Sequence, residues 1–161
     1  MNEPAYPFRV SDDALSYAFD SISEVKIIHK AVEFRPFSVN PIFYNLALLD
    51  VNDDGTADDL VASNNQDMKR VLATVFRSML TFFDRYPNKL IYFNGSDESG
   101  LRNRLYRILI ARELEEIQKM FEVHGRLANG NYEEFVPNKP YIGFIFQLRR
   151  QDGKGKTNAE K

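Results

Sequence analysis

Through the first third of the chain, apolar and polar residues alternate with the two-residue period of a strand covered on one face. Leu15, Tyr17 and Phe19 alternate with Ser16, Ala18 and Asp20, and the stretch turns near residues 21–24. Over residues 25–35, Ile28, Val32 and Phe34 share one face with Lys30, opposite Ile27, His29, Ala31 and Glu33. The first face is the expected core face, interrupted by its lysine, and Pro36 ends the strand. Residues 42–50 are rich in β-formers, and 57–63 return as a shorter strand after a turn at Asp54-Gly55. Four antiparallel strands in succession are expected.

The period then lengthens to that of a helix. Asn64-Asn65 supplies a cap and Asp67 a first-turn carboxylate. Met68, Val71, Leu72, Val75, Met79, Phe82, Phe83 and Tyr86 follow as one broad apolar stripe, which Pro87 ends. Residues 90–93 predict a short buried strand, Asn94-Gly95 a sharp turn, and residues 98–120 a second helix that is apolar on more than one side. Strand patterns return at 121–127, 132–136 and 141–148, the last being the most apolar. The predicted fold is one α+β domain over 15–150, a curved antiparallel sheet with two helices packed on it, in the order ββββ-α-β-α-βββ. A loose arm at 1–14, with Tyr6 and Phe8 tucked onto the body, precedes it, and a disordered tail at 151–161 follows.

Composition narrows the function classes. With 43% hydrophobic residues, including thirteen Phe and eight Tyr, the 161-residue chain has the apolar material of a folded domain. The absence of cysteine excludes a disulfide framework, thiolate chemistry and Cys-ligated zinc. The first residues lack the basic and apolar regions of a secretory signal, and no apolar run approaches the roughly 18 residues of a membrane span. A soluble cytoplasmic protein is the expectation. Twenty-one Lys and Arg against 23 Asp and Glu give a net charge of −2, so attraction for a nucleic acid would have to be local.

One corner concentrates such charge. Gly95 and Ser96 lead into a helix carrying Arg102, Arg104, Arg107 and Arg112, where free backbone N–H groups and planar guanidinium forks together suit a phosphate or carboxylate. Arg104 and Arg107 share a face, while Arg102 points nearly opposite Arg104, so a shared ligand would sit over the helix end. The competing reading makes Arg104 and Arg107 structural, paired with Asp58, Asp59 or Asp67.

Asp50, Asn52, Asp54 and Asp58, with Gly55, match the first half of a calcium loop. The twelfth position, which should be a bidentate Glu, is Val61, and the flanks read as strands, so a polar hairpin tip is preferred. His29 and His124 have no ligand-spaced neighbours, and no zinc site is expected. Gly155-Lys156-Thr157 imitates the end of a P-loop, but Arg150 stands where its first Gly belongs. Asp58 and Asp59, adjacent on a strand, point to opposite faces, so only one of them could enter a given site.

The chain resembles a family of small uncharacterised bacterial proteins, a domain of unknown function, over roughly residues 17–148. The likeness is carried by Tyr44-Asn45-Leu46, by Asp58-Asp59 with Ser63-Asn64-Asn65 and Asp67, by residues 71–75, and by Gly95-Ser96 followed by Arg102, Arg104, Leu105, Tyr106 and Arg107. In the family pattern a Thr follows Gly-Ser and another separates the two arginines; Asp97 and Asn103 stand there here. The resemblance implies a shared fold and points to the same corner, but brings no activity.

These readings lead to a non-catalytic module that binds a phosphate-bearing ligand, perhaps a nucleic acid, through Arg102, Arg104 and Arg107, with Tyr106 or Tyr92 available for stacking. No cofactor, resident metal or membrane is expected. The alternatives are a protein-interaction module, such as one half of a two-gene system, and a metal-dependent hydrolase or nuclease using Asp58 or Asp59.

Overall fold

The computed structural model describes residues 4–54, 57–58, 67–94 and 101–149, and for 57–58 and 101–106 the backbone alone. The strands are β1 (Arg9–Val10), β2 (Ser16–Ile22), β3 (Ile27–Pro36), β4 (Phe43–Val51), β5 (Ala57–Asp58), β6 (Leu90–Phe93), β7 (Phe121–Arg126), β8 (Tyr132–Glu134) and β9 (Gly143–Leu148). The helices are α1 (Met68–Arg85), α2 (Leu101–Arg112) and α3 (Leu114–Gln118). Eight strands form one unclosed row, β1-β2-β3-β4-β6-β9-β7-β8, and β5 pairs with the end of β4. The fold is α+β and the sheet mostly antiparallel, as expected.

The exception is β4 against β6, which run parallel with Leu46 opposite Phe93. Parallel neighbours need a long crossover, and α1 lies in the connection that returns the chain in the same direction. Local alternation carries no information on strand direction, so the sequence reading missed this pair. The expected second helix is two, broken at Glu113, whose φ of −102° and ψ of 15° leave the helical basin. No Gly or Pro marks the break, and both Ile110 and Ile117 are buried on either side of it.

Alternation explains which sheet face carries the core. Tyr17 and Phe19 of β2, Val32 and Phe34 of β3, Leu46 of β4, Ile91 and Phe93 of β6, and Phe144 and Phe146 of β9 join one cluster with the apolar stripe of α1. Phe82 is its hinge, stacked on Phe34 at 4.5 Å and edge-on to Tyr44 at 5.2 Å, while Phe76 meets Phe146 at 5.6 Å. Such ring pairs add about 0.5–1.5 kcal/mol each beyond area burial. Leu109 and Ile110 of α2 and Ile117 of α3 complete the cluster. Among the described residues no helix is long and apolar enough to cross a membrane.

The segment before β2 is tied to this body. Tyr6 is 3% exposed, and β1 extends the sheet with Arg9 opposite Ala18. Asp67 stands at the N-cap of α1 rather than in its first turn, and it makes no capping bond. Its carboxylate instead accepts from the Tyr6 hydroxyl at 2.6 Å and from the Ser21 hydroxyl. The Asn64-Asn65 cap and the tail at 151–161 lie outside the described residues.

Candidate anion-binding corner

The corner is set by β6, held between β4 and β9 with Ile91, Tyr92 and Phe93 buried, and it begins at the exposed Asn94. Gly95 and Ser96 lie outside the described residues; Arg102, Arg104 and Tyr106 are helical in backbone, with side chains outside the description. Arg107, the remaining residue of the predicted set, is a half-buried residue of α2. Its Nη1 donates to the Lys139 carbonyl at 3.0 Å, tying the helix to the connection between β8 and β9, and its buried Nε has no acceptor.

Among the described residues no carboxylate bonds to this arginine. Asp67 is taken by Tyr6 and Ser21, so the Arg107–Asp67 pair of the structural reading does not form. Asp58 and Asp59 have no described side chains. Glu133 lies beside Lys139 and accepts from its ammonium at 2.8 Å and from the Tyr141 hydroxyl at 2.6 Å. Those bonds, Lys139 first and Tyr141 second, hold the Glu133 carboxyl below the usual range. Burial, aided by Glu133, pushes the Tyr141 phenol up. Arg107 thus meets a neutral carbonyl where an acid was the alternative.

The sequence reading places Lys139, Glu133 and Tyr141 in strands and their connection and gives them no role at the corner. Lys139 lies in the connection bounded by Pro137 and Pro140, Glu133 in β8 and Tyr141 just before β9, and a backbone carbonyl 32 residues from its donor leaves no side-chain signature. The only hint is turn chemistry, Asn138 adopting a φ of 69° between Pro137 and Lys139.

The ring of Tyr92, a stacking candidate by sequence, is instead buried, only 7% exposed. Its phenol lies over Gly143, where a Cβ would come within 2.3 Å of the phenol oxygen. Arg126 lies beside it, 5.9 Å from the Tyr92 ring and 5.8 Å from that of the half-exposed Tyr132. Hydrogen bonding to the Tyr92 phenol pushes the guanidinium pKa further up.

In the calcium-loop pattern, Asp50 and Asp58 face each other across β4 and β5, as a hairpin requires. Asp50 is buried and bonded to the Lys30 ammonium at 2.6 Å, while Asn52 and Asp54 are exposed. No group of three or more potential ligands is placed to hold a metal among the described residues. His29 bonds Asp20 at 2.7 Å across β2 and β3, and His124 stands opposite Glu134. The Gly155-Lys156-Thr157 segment lies outside the described residues.

Compared with known proteins, residues 2–149 match a family model described as a family of unknown function (DUF6934). No curated protein and no solved structure matches the chain.

Proposed function

We propose, for a chain that belongs to DUF6934 and takes no activity from that family's description, a non-catalytic binding role directed at a phosphate-bearing ligand. The ligand is single-stranded nucleic acid, received where β6 passes into α2. The observation that carries this reading is the environment of Arg107: a half-buried guanidinium bonded to a carbonyl, with no carboxylate partner among the described residues. A buried or half-buried arginine held for stability is ordinarily neutralised by an acid. Among the described residues this positive charge has no acidic partner, and the backbone of α2 sets Arg104 three residues before Arg107 on the same helix face.

The test is fluorescence anisotropy of a labelled mixed-sequence single-stranded oligonucleotide at two salt concentrations, comparing wild type with Arg104→Ala/Arg107→Ala. Counterion release makes affinity fall steeply as salt rises. Binding that weakens with salt, and that drops in a double variant retaining its melting temperature, supports the reading. A wild-type chain that ignores the oligonucleotide at low salt, with a variant that melts markedly earlier, assigns these arginines to structure and overturns it.

A further inference from the structure

Residues 4–10 lie on the body as a peptide lies in a groove. The segment pairs along β2, Arg9 against Ala18 and Val10 against Tyr17, and sends alternate rings inward. Phe8 meets Tyr17 edge-on at 5.3 Å, and Tyr6 stacks on Phe19 at 5.9 Å. Tyr6 is held on every side. Its N–H donates to Thr74 Oγ1 at 2.8 Å, its hydroxyl donates to Asp67 and accepts from the Ile22 N–H at 3.2 Å, and the Arg70 guanidinium lies 3.8 Å above its ring. Main-chain pairing with pockets for alternate side chains is how a sheet edge recognises an added strand.

The link from this arm to β2 is short and strained. Residues 11–14 close the turn, with Ala14 in the left-handed region at a φ of 60°. The other non-glycine residue with positive φ among those described is an asparagine, a type that tolerates it; alanine does not. Every contact between arm and groove would survive if the turn opened and the arm came from another molecule, and the left-handed alanine would relax. Reciprocal exchange of one element is the low-cost route to a dimer.

We propose that the groove between β2 and the first turns of α1 also receives the arm of a second copy of this chain, residues 4–10 exchanging reciprocally while 11–14 extend. The chain has no cysteine of its own, so Arg9→Cys/Ala18→Cys in the full-length protein places one reporter pair across the β1–β2 ladder, at a separation a disulfide spans. A closed monomer cross-links within the chain and an exchanged pair cross-links between chains. After refolding over a range of protein concentrations and oxidation, a covalent dimer whose share rises with concentration is expected on a non-reducing gel. Adding Ala14→Gly, which accepts the left-handed turn, lowers that share about tenfold. Adding Ala14→Pro, which cannot adopt it, raises the share. Intrachain cross-links alone at every concentration, or dimer formed equally by Arg9→Cys without its partner cysteine, overturns the proposal, and neither of these outcomes depends on the proline variant folding.

Discussion

Lys30 shows how one residue can break a hydrophobic pattern and still be satisfied. It occupies the helix-covered face of β3 in line with Val32 and Phe34, and is only 6% exposed. The β3–β4 register places Asp50 directly opposite, and the two side chains meet at 2.6 Å. Desolvating two charges costs about what their attraction returns, so the pair adds little net stability, whereas leaving one member alone is expensive. Lys30→Met should therefore cost about 3–5 kcal/mol by urea denaturation, since it strands a buried carboxylate. Lys30→Met/Asp50→Leu should recover most of that loss. A single variant as stable as wild type would show that Asp50 is not confined to this pairing.

Among the elements, those whose side chains meet the core were legible and those that merely pair were not. The stripe from Val71 to Phe83 announced α1, because its apolar residues are buried in the one core cluster. β1 was illegible, since Arg9 and Val10 are both exposed and it is defined by backbone bonds to β2. At the corner, Arg107 was legible as an arginine in an apolar helix, but its partner was not, being a carbonyl. Tyr92 misled for a related reason: it packs over Gly143 of the adjacent strand β9, close in space but far along the chain. The connection between β8 and β9 seats itself in the same way, with the Tyr141 ring lying flat against Gly125 of β7, where a Cβ would fall 2.3 Å from a ring carbon. That ring is fully buried and packed against Phe135 at 5.2 Å, so it has nowhere to move. Gly125→Ala should destabilise by about 2–3 kcal/mol, the range of overpacked cores, and loosen the connection that anchors Arg107. Comparison of melting curves checks it, and an unchanged midpoint would mean the connection sits less tightly than this geometry requires.

Across the whole molecule, the aromatic core has a consequence for alkaline stability. Tyr6, Tyr17 and Tyr141 are nearly or fully buried, and for all three burial is the leading cause that raises the phenol pKa above 10.0. Below that value the phenols are neutral in both folded and unfolded chains and contribute nothing that depends on pH. Above it, the unfolded chain releases protons that the folded chain retains, so the unfolded state binds fewer protons and stability falls as pH rises. Urea midpoints should stay level between pH 8 and about 9.5 and then decline steadily through pH 11. Tyr17 shows the largest shift, and its hydroxyl donates to the Ala14 carbonyl at 2.8 Å in the turn that holds the arm. Tyr17→Phe should thus be less stable at pH 8, having lost that bond, yet show a shallower alkaline decline, having lost a group that titrates. Parallel declines in wild type and variant would mean that the alkaline transition begins elsewhere, at the exposed tyrosines or lysines, and that the arm and its turn outlast it.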